Sequence, residues 1–225
     1  MDPYPNTTVP DWSAVETVCL DMDGTVLDLR FDNLFWLEAL PRRWGEMHGL
    51  DADEAWRRLE PRFRAKRGTL DWYCIDHWSE ELGVDVAALK LEMREHIRYL
   101  PGAEAFLDRL RATGRRVLLT TNAHPISLGI KNARTGLDRH FDELVSSHGL
   151  GVPKESTEFW RRLERAHGVR PAGTLFVDDS APVLAAARAA GVGRVYQVLK
   201  PDSTRPAHRP EPGVPGVESI AELLP

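Results

Sequence analysis

The chain has 225 residues, of which 42% are hydrophobic, and its formal net charge at pH 7 is −5. This composition excludes a disordered chain, and the acidic balance argues against nucleic-acid binding as the main function. No apolar run approaches the length of a membrane span, and residues 1–11 lack a signal-peptide pattern. Cys19 and Cys74 lie far apart among apolar residues, which predicts two buried, reduced thiols. We therefore expect a cytoplasmic protein without nucleic-acid or membrane partners.

The first pronounced element is the apolar run Val18–Leu20, which ends at Asp21-Met22-Asp23-Gly24-Thr25. The run predicts a strand buried on both faces, with Asp21 at its carboxyl end, where open α/β sheets bind ligands. In an extended chain Asp21 and Asp23 share a side, and Gly24 allows a tight turn behind them. Two neighbouring carboxylates repel each other unless a cation or a shared proton relieves them. The alternative is an acidic turn without function.

Residues 28–99 lose strand-like runs and follow helical patterns. Asp51 and Glu54 form a variant of the capping box, which opens a helix that Gly68 closes. An apolar pattern with helical spacing then runs from 70 to 82, and Asp85 caps a further helix to about residue 98. The sequence therefore predicts an all-helical domain inserted after the first strand.

From residue 100 onward, predicted strands and helices alternate. Strands are expected at 117–121, 143–147, 174–177 and 193–198, with helices at 102–110, 126–135, 156–166 and 181–190. This alternation predicts an α/β fold with a Rossmann-like, doubly wound parallel sheet formed by residues 1–27 and 100–225. The proline-rich segment 201–216 is expected to be a surface loop, and 217–224 a closing helix.

Polar residues follow several of these predicted strands, at or near the carboxyl end of each. Thr121-Asn122 ends the second strand, Lys154 precedes a helix, and Asp178-Asp179 ends the fourth strand. A threonine hydroxyl, backbone N–H groups and a lysine can stabilise a phosphoryl oxygen, and carboxylates can hold a divalent cation. Taken singly, these residues have simpler explanations: a polar turn, a solvated lysine or a helix cap.

Together the four segments resemble the motifs of the haloacid dehalogenase-like hydrolase superfamily. The resemblance implies that Asp21 attacks a phosphoryl group and forms an aspartyl-phosphate, while Asp23 acts as general acid and base. Thr121 and Lys154 would stabilise the phosphoryl oxygens. A Mg²⁺ ion would be held by the side chains of Asp21 and Asp179 and by the backbone carbonyl of Asp23, and Asp178 would act on it directly or through water. The remaining phosphate-binding positions would be Gly24, Thr25 and Asn122.

The same superfamily contains carbon–halogen hydrolases, which lack the second aspartate of the first motif and need no metal. Asp23 is present in this chain, and Asp178-Asp179 supplies further carboxylates. The sequence therefore favours hydrolysis of a phosphomonoester.

The helical insert carries aromatic residues beside polar ones, a composition that suits the stacking of a nucleotide base. Between Trp12 and Ser203 the chain resembles the bacterial GMP/IMP nucleotidases of the superfamily, which implies hydrolysis of purine nucleoside 5′-monophosphates. The expected substrate contacts in that case are Asn33, Trp36, Trp72 and His124. The alternative is that these aromatic residues form the core of the insert and that His124 is a structural loop residue.

Three other functions remain open at this point. One is a phosphoglycolate or sugar-phosphate phosphatase, and a second is an enzyme similar to β-phosphoglucomutase. The third is a non-catalytic, phosphate-binding regulator, which the competent residues at every motif position argue against. The expected quaternary state is a monomer or a weak homodimer.

Overall fold

The computed structural model describes residues 9–224. The predicted α/β core also includes residues 1–8 and Pro225, which lie outside the described residues. The strands are β1 (Thr17–Leu20), β2 (Arg116–Thr121), β3 (Glu143–Ser146), β4 (Thr174–Asp178), β5 (Arg194–Val198) and β6 (Gly216–Val217). They form one sheet in the order β3-β2-β1-β4-β5-β6. Every neighbouring pair in this sheet is parallel.

The first six helices lie between β1 and β2 in the chain. They are α1 (Arg30–Leu34), α2 (Leu40–His48), α3 (Ala52–Lys66), α4 (Leu70–Tyr73), α5 (Ile75–Leu82) and α6 (Val86–Glu92), with a π-helical stretch, Phe35–Ala39, joining α1 to α2. The helices of the α/β part are α7 (Ala103–Ala112), α8 (Pro125–Thr135), α9 (Ser147–Leu150), α10 (Thr157–His167) and α11 (Ala181–Ala189).

Side chains alternate between the two faces of the sheet along each strand, and each face packs against helices. In β1, Val18 and Leu20 contribute to an apolar cluster that includes Phe106 of α7. Cys19 points into a second cluster, which includes Phe159 of α10. Burial of β1 on both faces explains why its sequence is a continuous apolar run. The predicted Rossmann-like, doubly wound parallel sheet is therefore confirmed.

The helices between β1 and α7 have an apolar cluster of their own. Its buried side chains come mainly from α2, α3, α5 and α6, and the largest fully buried one is Trp78. Asp51 caps α3 by accepting a hydrogen bond from the backbone N–H of Glu54 at 2.8 Å, as its sequence predicts. Aromatic rings fill this cluster, with Phe63 and Trp78 in edge-to-face contact at 5.0 Å.

Two predictions about these helices are wrong in detail. The single helix expected over 70–82 is broken at Cys74, whose backbone is extended (φ −84°, ψ 108°). The indole N–H of Trp78 donates to the freed carbonyl of Trp72 at 2.9 Å, which stabilises the break. The helix that Asp85 caps ends at Glu92 and is followed by a 3₁₀ turn rather than continuing to residue 98.

The predicted closing helix at 217–224 is also wrong. Val217 pairs with Val198 as part of β6, and a 3₁₀ turn at Ile220–Leu223 follows. Gly216 permits this pairing, because a Cβ at that position would lie 2.8 Å from the side chain of Leu199. Among the described residues, the helices are too short or too polar to cross a membrane.

Candidate active site

Asp21 lies directly beyond the end of β1. Its backbone N–H donates to the carbonyl of Val177 in β4 at 3.0 Å, so the strand pairing holds this residue in place. Only 6% of Asp21 is exposed. The strand end therefore presents a buried carboxylate at the carboxyl edge of the sheet, between the two central strands.

The turn after Asp21 depends on Gly24. Its φ of +87° lies in the left-handed region that favours glycine, and its N–H donates to the carbonyl of Leu27 at 2.7 Å. A Cβ on Gly24 would lie 2.8 Å from Cγ of Asp179 and from Cβ of Pro201. The missing side chain therefore lets the Asp179 carboxyl group approach the turn closely.

Lys154 lies among these carboxylates and is 2% exposed. Its ammonium group contacts Asp21 and donates to Asp178 at 2.7 Å and to the carbonyl of Thr120 at 2.9 Å. These partners use all three of its N–H donors. The sequence-predicted Asp21, Lys154 and Asp178 are thus brought into direct contact.

Asn122 holds Lys154 in position from behind. Its side-chain carbonyl accepts from the backbone N–H of Lys154 at 2.9 Å, and its amide donates to Glu155 at 2.9 Å. The other carboxylate oxygen of Glu155 accepts from the Tyr73 hydroxyl at 2.5 Å. Both hydrogen-bonding ends of the Asn122 amide are engaged with protein groups, so the structure gives its side chain a positioning contact.

Three carboxylates converge at this point: Asp21, Asp178 and Asp179 have oxygen atoms that all lie within 4.8 Å of one another. Burial raises the pKa of Asp21, and Lys154 offsets this only in part. Burial and the charge of Asp178 raise the pKa of Asp179 well above its usual value. One lysine cannot balance three carboxylates, and a set of carboxylate oxygens of this kind suits a hard divalent cation.

Thr121 ends β2 and is 1% exposed. Its hydroxyl oxygen accepts from the N–H of Ala123 at 3.0 Å, which leaves the hydroxyl proton available to another acceptor. The hydroxyl of Thr25 is buried and has no hydrogen-bond partner within residues 9–224.

Asp23 has a partner that the sequence analysis missed. The ammonium group of Lys131, in α8, donates to Asp23 at 2.6 Å and to Asp32 of α1 at 2.6 Å. Lys90 of α6 donates to the second oxygen of Asp32 at 3.1 Å. Both lysines are 2% exposed. The four side chains form one charge network that joins the sheet end to the inserted helices, and its two lysines are buried.

A sequence signal for these lysines does exist. In α8, Ser127, Leu128 and Lys131 are buried and spaced as i, i+1 and i+4, and in α6 Val86 and Leu89 are buried on the same face as Lys90. A lysine on the apolar face of an amphipathic helix is rarely buried unless it is paired. Its position in the pattern therefore indicates a buried carboxylate partner.

A cavity of about 320 Å³ opens from the carboxylates toward the inserted helices. Asp21, Asp23, Thr121, Lys154 and Asp179 line one end of it. Its other walls are largely aromatic and aliphatic and comprise Leu29, Trp36, Leu37, Trp56, Phe63, Trp72, Tyr73, Ile75 and Val183. The polar side chains Asn33, Glu60 and Arg67 also line these walls.

The predicted substrate contacts fall into two groups. Asn33, Trp36 and Trp72 line the cavity, and the two indoles are stacked at 5.8 Å with an angle of 24° between their planes. His124 does not line it. Its Nδ1 accepts from the N–H of Ile126 at 3.4 Å at the start of α8, and its Nε2 lies 3.5 Å from Asp76. Gly24 and Thr25 lie in the turn behind the cavity wall and do not line it either.

Comparison with known proteins gives consistent matches. The family model described as haloacid dehalogenase-like hydrolase matches residues 15–191. The GMP/IMP nucleotidase YrfG of Escherichia coli (strain K12) is 43% identical over 192 residues, which cover 85% of this chain and 86% of that protein. The phosphatase MT3486 of Mycobacterium tuberculosis (strain CDC 1551 / Oshkosh) is 26% identical over 207 residues, covering 85% of this chain and 91% of that protein.

A solved structure, the HAD phosphatase from Thermococcus onnurineus, has a TM-score of 0.79 and 20% identity, and the match covers 93% of this chain and 96% of that chain. At this identity the likeness shows the fold alone. Membership follows from the family model, which spans most of the chain, and from the 43% identical relative. The prediction that the chain is a phosphatase-type enzyme is confirmed. The chain belongs to the haloacid dehalogenase-like hydrolase family.

Proposed function

We propose that this protein is a Mg²⁺-dependent phosphatase that hydrolyses purine nucleoside 5′-monophosphates through an aspartyl-phosphate on Asp21. One observation carries the proposal: the buried Asp21 carboxylate lies beside Lys154, Asp178 and Asp179 at the closed end of an aromatic cavity. This arrangement supports the proposal because phosphoryl transfer needs a nucleophile, a positively charged group and carboxylates for a metal ion close to one phosphate.

In the first step, an Asp21 oxygen attacks the phosphorus atom, and the bond from phosphorus to the ester oxygen breaks. Asp23 lines the cavity and donates its proton to the departing alkoxide. In the second step, Asp23 takes a proton from water, the hydroxide attacks phosphorus, and phosphate and free Asp21 are released. Lys154 and the Thr121 hydroxyl stabilise the charge on the phosphoryl oxygens in both steps.

The side chains of Asp21, Asp178 and Asp179, with the backbone carbonyl of Asp23, would hold the Mg²⁺ ion. When bound, the cation neutralises the carboxylates and the phosphoryl group and orients the phosphate for in-line displacement. Burial and the neighbouring carboxylates raise the pKa of Asp21 and of Asp179, and a bound cation would offset both effects.

The substrate class follows from the walls of the cavity. Stacked indoles of Trp36 and Trp72, with Asn33, Glu60 and Arg67 nearby, suit an aromatic base with hydrogen-bonding groups on its edge. The relative that is 43% identical is a GMP/IMP nucleotidase. We therefore assign GMP and IMP as the preferred substrates. Residues 28–99 act as a cap that covers the phosphate and excludes water.

The protein acts on small molecules in the cytoplasm, as a monomer or a weak homodimer. Cys19 and Cys74 are both free, as expected for a reducing compartment. Size-exclusion chromatography with light scattering over a range of concentrations tests the quaternary state.

The test is a phosphate-release assay with Mg²⁺ on IMP, GMP, AMP, phosphoglycolate and glucose phosphates. We expect IMP and GMP to have the highest kcat/KM, and Asp21→Asn to reduce kcat by about four orders of magnitude. Asp138→Asn, which replaces an exposed aspartate in a 3₁₀ turn, serves as the control and should keep full activity. Full activity of Asp21→Asn would show that Asp21 is not the nucleophile. Turnover of phosphoglycolate but not of IMP would show that purine nucleotides are not the substrates. Isomerised sugar phosphate without phosphate release would reveal a mutase.

A further inference from the structure

A second group of metal-type ligands lies where the inserted helices meet the α/β core. Cys74 comes from the break between α4 and α5, His124 from the β2–α8 connection, and His148 from α9. One ligand atom from each of these three residues lies within 4.8 Å of the other two. Three separate chain segments therefore bring a thiol and two imidazoles to one point.

His148 has a free ligand atom. Its Nε2 is buried and has no hydrogen-bond partner among the residues that the structure describes. A buried polar atom without a partner is uncommon in a folded protein and needs an explanation.

The other two side chains face His148 closely. The rings of His124 and His148 lie 4.9 Å apart at an angle of 82°, an edge-to-face contact that turns one ring edge toward its neighbour. Nε2 of His124 lies 3.5 Å from Oδ2 of Asp76, an exposed carboxylate that could supply a fourth ligand. Cys74 is partly buried, and its sulfur accepts a long contact from the N–H of His77 at 3.5 Å.

The chemistry of this group differs from that of the carboxylate cluster. Mg²⁺ selects oxygen ligands, whereas one thiolate with two imidazoles is a donor set for Zn²⁺ and similar transition-metal cations. Cys74, His124 and His148 are also not among the residues that line the cavity. The two clusters are therefore separate, and their donor atoms suit different cations.

We propose that Cys74, His124 and His148 form a Zn²⁺ site that ties the α4–α5 break of the cap to the core. Asp76 or a water molecule completes a tetrahedral set. Because Cys74 belongs to the cap and the two histidines belong to the core, a bound Zn²⁺ ion holds the cap against the sheet end. Tyr73, next to Cys74 in the chain, lines the cavity and donates to Glu155, so the clamped segment is also part of the cavity wall.

The direct test uses the full chain stripped of metal with a chelator and then titrated with Co²⁺, whose bond to a thiolate gives a charge-transfer absorption band. We expect one equivalent of Co²⁺ to produce this band, and one equivalent of Zn²⁺ to abolish it. An excess of Mg²⁺ should leave the band unchanged. The band reports the sulfur ligand itself, so cations bound at the carboxylate cluster do not contribute to it.

Cys74→Ser should remove the band, and His148→Gln should weaken Zn²⁺ affinity by at least about tenfold in calorimetry. His96→Gln, a histidine in an exposed 3₁₀ turn, is the matched control and should bind Zn²⁺ as the native protein does. Circular dichroism of the metal-free variants checks folding, and His124→Gln replaces any variant that fails to fold. Absence of the band in the native protein, or unchanged Zn²⁺ affinity in folded His148→Gln, would overturn the proposal.

Discussion

At the scale of single residues, the candidate active site depends on the close approach of carboxylates, which normally repel one another. Asp179 reaches the Asp21–Asp23 turn only because Gly24 lacks a Cβ, and Lys154 holds the carboxylates of Asp21 and Asp178 together because it contacts both. The sequence motif contains glycine for a geometric reason, namely a positive φ together with a contact that no side chain allows.

Comparing Gly24→Ala with Gly49→Ala separates the effect of a positive φ from the effect of the close contact with Asp179. Both glycines have positive φ, +87° and +66°, but a Cβ on Gly49 would meet no atom within 4 Å. Gly49→Ala should therefore cost only the left-handed strain of about 1–2 kcal/mol in the free energy of unfolding. Gly24→Ala should cost clearly more, and it should also weaken Mg²⁺ binding because the Asp179 carboxyl group must move. Urea unfolding and Mg²⁺ titration measure the two effects. Equal losses of stability would show that the contact with Asp179 is unimportant.

At the scale of helices and strands, three helices meet through buried charges. Asp32 of α1 lies between Lys90 of α6 and Lys131 of α8, and Lys131 also reaches Asp23. Burial alone would raise the pKa of Asp32, but the two lysines outweigh it and hold the pKa at about 2. This network is therefore an electrostatic connection between the cap helices and the general acid that we assign.

The network predicts a pH dependence of stability. The pKa of Asp32 is lower in the folded protein than its usual value of 3.8, so its stabilising contribution is complete above about pH 4 and is lost as the pH falls toward 2. The loss should amount to about 2 kcal/mol. Asp32→Asn should destabilise the protein by about 3–5 kcal/mol at neutral pH, because two buried lysines lose a partner, and should flatten the slope below pH 4. Urea unfolding at several pH values measures this, with Asp138→Asn as the control. An unchanged slope in Asp32→Asn would contradict the prediction.

The sequence predicts the first five strands of the sheet because their signals are local, but it does not predict β6. Apolar runs mark β1 and β4, and Gly136 ends α8 with the left-handed φ expected of a helix-terminating glycine. The carboxyl ends of these strands then place Asp21 and Asp178 at one edge without further information. The break at Cys74 is different, because it is stabilised by an indole that reaches back from Trp78. Lys131 was missed for a similar reason: its partners Asp23 and Asp32 lie about a hundred residues earlier in the chain.

At the scale of the whole molecule, the cavity lies between the carboxyl end of the sheet and a group of helices with an apolar cluster of its own. The sheet end contributes Asp21, Lys154, Asp178 and Asp179. The inserted helices contribute the aromatic walls and further charged side chains, namely Asp32, Glu60, Arg67 and Lys90. In the function that we propose, phosphoryl transfer and the choice of base therefore depend on different parts of the chain. A change in the aromatic wall should therefore alter recognition of the base and leave the attack of Asp21 on phosphorus intact.

Trp36→Leu and Trp72→Leu test this division. Both indoles line the cavity and stack on each other, so replacing either removes a face against which a purine base can pack. Stacking of one base contributes about 1–3 kcal/mol, so KM for IMP and GMP should rise about 5- to 150-fold. Acetyl phosphate has no base and reaches only the phosphate end, so its hydrolysis should keep the native kcat and KM. The two substrates together also control for damage to the fold, because general damage lowers turnover of both. Equal losses on IMP and acetyl phosphate would show that the aromatic wall supports the structure and does not select the base.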